Sequence, residues 1–253
     1  VAEGLDYRTK ASEIMASPVQ TISGDAICFD ALLTMIKNRI HHLAIEENGK
    51  ISKMLTTHDI MVAQGSSPYF LFREIQTQRR ISGLYELSRK IPMIVRPLIE
   101  EGAKACNVTR MISVLNDHVL DRLLTLLQEE LGPPPIPFSW LLLGSEGRQE
   151  QIFKGRQANA VLYGNCPDER TAGEAKEYFR TLSEHAIRHL MACGYPSESG
   201  EITASNTKWR QPQSVWDGYF QDWCGFPDRE RNFDPAIFFD FRSGAGNVSL
   251  SEK

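Results

Sequence analysis

Apolar positions recur at two different spacings along the 253-residue chain and mark out three stretches. Between Ala11 and Gln64 the pattern predicts strand, helix, strand, strand, helix. Val19 and Thr21 lie in a short extended run after Pro18. Ile27, Phe29, Leu32, Leu33, Met35 and Ile36 repeat as one face of a helix from Ile27 to Ile36. His42 to Ile45 is extended again, and Asn48-Gly49 follows it. That dipeptide predicts a tight hairpin, because a type I′ turn needs positive φ at both central residues. Lys50 to Leu55 is the returning strand, and Asp59 opens a second helix.

From Pro68 to Gly132 the spacing is helical. Ile81 to Arg89 predicts a helix that ends near Pro92. Val108, Met111, Ile112, Leu115, Val119, Leu123 and Leu126 predict a longer one, with Asn107 as its cap. Gly132 and Pro133-Pro134-Pro135 stop it. Beyond Phe138 the pattern is mixed. Ser139 to Leu143 is a short apolar strand that runs into Gly144-Ser145-Glu146-Gly147-Arg148. Ala158 to Tyr163 is a second strand, Thr171 to Met191 a long helix ended by Gly194, and Ala236 to Phe241 (AIFFDF) a buried strand carrying one acid, Asp240. Together these give an α/β (α+β) fold class: a small module over 1–66, a helical connector over 67–135, and a mixed sheet with flanking helices over 136–253.

Composition narrows the classes. Hydrophobic residues make up 42% and charged residues 24%, the balance of a globular chain. Lys and Arg number 28 against 32 Asp and Glu, a net charge of −4 that gives no global reason to expect nucleic acid as a partner. No apolar stretch reaches the roughly 18 residues of a membrane span, and VAEGLDYRTK lacks the apolar run of a signal peptide. The five cysteines are an odd number without a CxxC pair, so neither a disulfide framework nor a zinc knuckle is expected. The expected location is cytoplasmic. The chain opens and closes abruptly, as a segment of something longer would.

Residues 11 to 61 resemble a CBS domain, the cystathionine-β-synthase-type regulatory module. The resemblance rests on Ile14-Met15 with Pro18, on His41-His42-Leu43, and on the closing Thr56-x-x-Asp59. In that family modules work in pairs, and the cleft between two of them holds an adenine nucleotide whose ribose and phosphates meet the Thr and Asp of the closing motif. The resemblance therefore implies Thr56 and Asp59 as nucleotide contacts. The other reading of these two residues is that they cap the following helix. The chain departs from the family in having Ser52 at the usual glycine and in carrying a single module, so a homodimer formed through that module is expected.

A second resemblance starts at LLLGSEGRQEQIFKGRQANAVLY, continues through Ala204-Ser205-Asn206-x-x-Trp209-Arg210-Gln211-Pro212, and ends at Ile237-Phe238-Phe239-Asp240-Phe241-Arg242. Residues 138 to 248 look like the nucleotidyltransferase domain that follows CBS modules in bacterial signalling proteins. That domain is similar to the N-terminal catalytic domain of the protein-PII uridylyltransferases, in the DNA-polymerase-β-like superfamily. The resemblance implies a nucleotide ligand, a protein acceptor or regulator, and Mg2+. A Gly-Ser turn, here Gly144 and Ser145, would face the triphosphate. Two aspartates at i and i+2 on one strand, with a third from a neighbouring strand, would hold two magnesium ions.

Here the chain departs from its relatives. They read close to Thr-Asp-Gln-Asp-Asn-Ala where this sequence has Gly155-Arg156-Gln157-Ala158-Asn159-Ala160. Gln157, Asn159 and Ala160 fix the alignment without a gap, so Arg156 and Ala158 stand where two metal carboxylates belong. Asp240 alone holds an acidic position, as the one catalytic and metal-binding candidate. A two-metal site is not expected, and catalysis is expected to be lost or weakened. The alternatives are a transferase that uses Glu146 or Glu150 as a substitute acid, and an interaction scaffold without nucleotide. Arg156 would pair with Asp240 or meet a phosphate directly. Arg148 and Glu150 would approach the nucleotide or pair with each other. Asn206, Lys208 and Arg210 would line a phosphate rim, Trp209 and Trp216 would be core, and His185 with His189 has the i, i+4 spacing of two zinc ligands.

Overall fold

Both turn residues of the predicted hairpin take positive φ, Asn48 at 51° and Gly49 at 73°. This computed structural model describes residues 9–15, 17–64, 68–100, 103–152, 155–196, 202–225 and 235–251, and the chain divides into two compact units, Val1–Ser67 and Pro68–Lys253. The predicted boundary at 66/67 falls outside the described residues.

In the first unit, α1 (Ala11–Ile14) leads to β1 (Thr21–Ser23), α2 (Cys28–Asn38), β2 (His42–Glu47), β3 (Lys50–Thr56) and α3 (Thr57–Gln64). Strand β1 pairs parallel with β2, and β2 antiparallel with β3. The core is the apolar face of α2 (Phe29, Leu32, Leu33, Met35, Ile36) with Leu43, Ala44 and Ile60. Val19, Ile27, Ile51 and Met54 are each more than half exposed.

The second unit opens with α4 (Pro68–Thr77), α5 (Ile81–Glu100) and α6 (Ala105–Leu131). Two expectations are corrected here. Helix α5 does not end at Pro92; it continues through Pro92 and Pro97. Leu84, Leu87, Ile91, Val95 and Leu98 form one buried stripe, and that burial outweighs the roughly 3 kcal/mol an interior proline costs. Asn107 is not the cap of α6; Lys104 is, without a side-chain hydrogen bond, and Asn107 lies inside the first turn. Gly132 ends α6 at φ 86°, as its position before three prolines predicts.

Strand β4 (Phe138–Leu143), the short α7 (Gly144–Gly147), β5 (Asn159–Tyr163), α8 (Glu169–Ala192), β6 (Arg210–Pro212), α9 (Gln213–Gly225) and β7 (Phe241–Gly246) complete the unit. The sheet order is β6-β5-β4-β7, with β4 antiparallel to both β5 and β7 and β5 parallel to β6. All six residues of β4 and all five of β5 are buried, so both faces are covered. Leu141, Leu143, Ala160 and Leu162 pack with Trp209, Trp216, Trp223 and Phe238. On the other side, Tyr163 stacks on Phe179 of α8 and Phe138 packs against the same ring at a tilt. A third correction concerns AIFFDF. Residues Pro235–Phe238 form a 3₁₀ turn, and the strand starts at Phe241. Phe238 is buried while Phe239 is exposed, and Asp240 sits at a bend before the strand.

Candidate functional site

Strand β4 ends where Gly144 takes φ +56°, a left-handed conformation that only glycine adopts without strain. Three residues on, Gly147 permits a close approach: a Cβ there would fall 2.0 Å from the carbonyl oxygen of Asp240. The two glycines of the Gly-Ser-Glu-Gly turn therefore do different work, the first bending the chain and the second seating the Asp240 backbone. Register brings the remaining positions to the same end of the sheet. Leu143 lies opposite Phe241, and its N–H donates to the Ala158 carbonyl at 2.9 Å. Gly144, Ser145, Ala158 and Asp240 thus meet at the end of β4, although nearly a hundred residues separate the first from the last.

Arg148 bridges this rim. Its Nε donates to Glu150 Oε2 at 2.8 Å, and one Nη to Asp240 Oδ2. These carboxylates, Glu150 first, raise the guanidinium's pKa above its usual value. The surface pairing of Arg148 with Glu150 is therefore what the structure shows. The Asp240 carboxylate is engaged by Arg148 and not by Arg156. Nor is Asp240 a buried strand acid: its side chain is 43% exposed. Arg156 is exposed, and its carbonyl accepts from Gln151 Nε2 at 3.2 Å.

Gln157 and Asn159, beside Arg156 and Ala158, are structural. Gln157 Nε2 donates to the Tyr195 carbonyl, and the Gln157 N–H to that of Pro196. Asn159 Oδ1 accepts from the Ala204 N–H at 2.9 Å. Arg210, buried, donates to the carbonyls of Ala204 and Ser205, so it pins a loop and leaves the phosphate rim expected of it. Asn206 accepts from the Lys208 N–H as a cap, and Lys208 Nζ lies 4.6 Å over the Trp209 ring. Trp209 and Trp216 are core. His189 Nδ1 is within 2.6 Å of the Tyr85 hydroxyl.

Set against a two-metal site, these donors do not fit. Arg156 and Ala158 stand at the two positions where the resemblance implies carboxylates, and Arg148 holds Asp240, the third. Among the described residues, no three His, Cys, Asp or Glu side chains come together in a way that could hold a metal ion.

Behind the turn lies a cluster that the sequence reading missed. Arg242 makes a two-pronged pair with Asp117 of α6, both bonds at 2.8 Å, and its Nε donates to the Glu146 carbonyl at 3.2 Å. The Glu146 carboxyl is pushed up to about 8, first by burial and then by the Asp117 carboxylate, with Arg242 opposing both. Asp117 is likewise raised by burial, against the pull of Arg242. Glu146 shares a small cavity of about 20 Å³ with Asn116, Trp140 and Tyr195, so it faces α6 as part of this cluster. The available signal was a polar triplet, Asn116-Asp117-His118, inside the apolar stripe of α6.

On the opposite face of the sheet, an apolar pocket of about 280 Å³ begins one residue from Gly144 and one from Asp240. Leu143, Trp216, Phe220, Phe238 and Phe241 line it, with Asp217 and Gln213 as polar members. In the first unit, Thr56 and Asp59 cap α3 reciprocally. Asp59 Oδ2 accepts from the Thr56 N–H at 2.8 Å and hydroxyl at 2.6 Å, and the Asp59 N–H reaches Thr56 Oγ1 at 3.2 Å. Those bonds, the hydroxyl's first, hold the Asp59 carboxyl below its usual range. Capping is thus realised, by the residues the CBS resemblance would also give to a nucleotide.

Compared with known families, residues 89–230 match the one described as Putative nucleotidyltransferase DUF294, and residues 11–66 match the CBS domain. No curated protein matches the chain.

Proposed function

The chain belongs to this nucleotidyltransferase family, and from that premise we propose that it is a bacterial cytoplasmic signalling protein of the protein-PII uridylyltransferase type that binds nucleotide but has lost or weakened metal-dependent transfer. One observation carries the reading. The fold brings Ala158, Asp240 and the Gly144-Ser145 turn to one end of β4, which supports a nucleotide site there in which the acids that the resemblance implies are replaced or engaged. Arg148 and Arg156 supply positive charge where metal ions would otherwise screen a triphosphate. The aromatic pocket beside Leu143 and Phe241 offers stacking surface for a base. Glu146 is a poor substitute acid, because it stays largely protonated at neutral pH and faces α6. Glu150 is held by Arg148.

In this reading the CBS domain is the regulatory input, responding to an adenine nucleotide at Thr56 and Asp59 of paired modules. The exposed Val19, Ile27, Ile51 and Met54 suit a homodimer through that domain.

Calorimetric titration of ATP and UTP onto the full chain, with and without magnesium, tests the proposal. Binding that is indifferent to magnesium and weakened by Arg148→Ala is expected, with no labelled nucleotide transferred to any acceptor. Magnesium-dependent binding that Asp240→Ala removes would overturn it and restore an active transferase. An absence of binding to either nucleotide would leave an interaction scaffold.

A further inference from the structure

On the helical side of the sheet, α5, α6 and the end of α8 enclose a cavity of about 490 Å³, inside the roughly 300–1,000 Å³ range of small-molecule sites. Ile91, Ile112 and Met191 give it apolar walls. Its polar groups share one character. Ser88, 7% exposed, lines it with a hydroxyl that has no hydrogen-bond partner of normal geometry, although it lies beside the Cys193 thiol. A helical serine ordinarily returns its proton to a carbonyl one turn back, so a buried hydroxyl left open calls for an explanation. Asn116 lines this cavity as well as the smaller one at Glu146, and since its Oδ1 already accepts the Tyr195 hydroxyl, what it can offer a ligand is the Nδ2 donor. Arg89, at the mouth, makes no ion pair among the described residues, and its charge reaches the neighbouring Cys193. None of the described lining residues is acidic.

We propose that this cavity binds a small, acceptor-rich organic anion with an apolar body. The head group meets Arg89, Ser88 and Asn116, and the hydrocarbon or aryl part lies against Ile91, Ile112 and Met191. The inference is independent of nucleotide binding at the Gly144-Ser145 turn, and a chain that fails to bind ATP still tests it.

Two fluorescent probes of nearly the same shape make the test: anilinonaphthalene sulfonate, which carries an anionic head, and N-phenylnaphthylamine, which is uncharged. Each is titrated onto the full chain. The sulfonate is expected to saturate near one site per chain. Arg89→Ala should weaken the sulfonate roughly five-fold, the upper range for a solvent-exposed ion pair, and leave the amine unchanged. Ser88→Leu, which narrows the cavity and removes a polar group from it, should weaken binding of both. If Ser88→Leu does not fold, the contrast between the two probes in Arg89→Ala decides alone. Binding that fails to saturate near one site, or an Arg89→Ala titration that moves neither probe or both equally, overturns the proposal.

Discussion

Two arginine–aspartate pairs flank the start of β7, and they are opposite in kind. Arg148 and Asp240 meet at the rim with side chains 44% and 43% exposed. Arg242 and Asp117 meet behind the turn, 23% and 19% exposed, in a two-pronged geometry. Water competes for the first pair and screens it, so it opens readily when a better anion arrives. The second is shielded, and removing one partner strands the other in a poorly solvated place. The same residue types thus act as a latch in front of the sheet and as a strut behind it. The proposed nucleotide site belongs to the front, while the held geometry comes from the back.

Breaking the strut should have the largest effect. Arg242→Ala leaves Asp117 without its partner beside Glu146 and is expected to cost about 3–5 kcal/mol, read from urea unfolding. A loss below about 1 kcal/mol would mean that the two pairs are equivalent.

Next is the acid inside the strut. The Glu146 carboxyl is pushed up to about 8 in the folded chain, against an ordinary value of 4.5, so the unfolded chain gives up this proton first. Its contribution to stability is therefore intact below about pH 4.5, falls as pH rises, and is fully lost above about 8. Glu146→Gln should match the parent near pH 4 and exceed it by about 3 kcal/mol at pH 7, with the gap still widening towards pH 8. Unfolding curves of both chains across that range check the sign; a gap that stays flat with pH would place Glu146 in water.

The front is tested by restoring what it lacks. The double substitution Arg156→Asp with Ala158→Asp introduces the two strand acids that the uridylyltransferase resemblance implies. It should make ATP binding about ten-fold tighter with magnesium than without, where the parent is expected to show no difference. Calorimetry distinguishes the two.

The smallest effect is expected at the latch. Asp240→Asn should leave the urea midpoint unchanged within error. It should tighten metal-free ATP binding by a few-fold, because Arg148 then has one carboxylate fewer to hold it back. A large loss of stability would make the rim pair a second strut.

Much of this was legible before the fold was known, for physical reasons that can be named. Asn48-Gly49, the apolar β4 and β5, and the repeat of α6 are local signals, in which backbone preference and burial agree within a few residues. The misses are tertiary. Helix α5 passes through two prolines because one face of it is buried end to end. AIFFDF has the composition of a strand, but Phe238 turns inward to the tryptophans while Phe239 stays out, and pairing with β4 starts only at Phe241. Strands and helices with weak signals, such as β6 and α9, depend on neighbours that the sequence does not place beside them. At the site, the positions of Gly144, Ser145 and Asp240 follow from the motif resemblance. The partner of Asp240 does not: Arg148 lies 92 residues away along the chain. The pairing of Asp117 with Arg242 spans 125 residues, a separation that no local pattern encodes.

That separation has a consequence for how the chain is made. Strand β4 can pair with β5 as soon as the next twenty residues have been synthesised, but its other neighbour, β7, begins only at Phe241. Until then β4 presents Phe138-Ser139-Trp140-Leu141-Leu142-Leu143 as an unpaired apolar margin during synthesis, the kind of surface that recruits chaperones or other nascent chains. The residue that ends this exposure follows directly on Asp240. The order of synthesis thus makes the rim the last part of the sheet to be finished, and links its completion to the moment when the growing chain becomes safe from association.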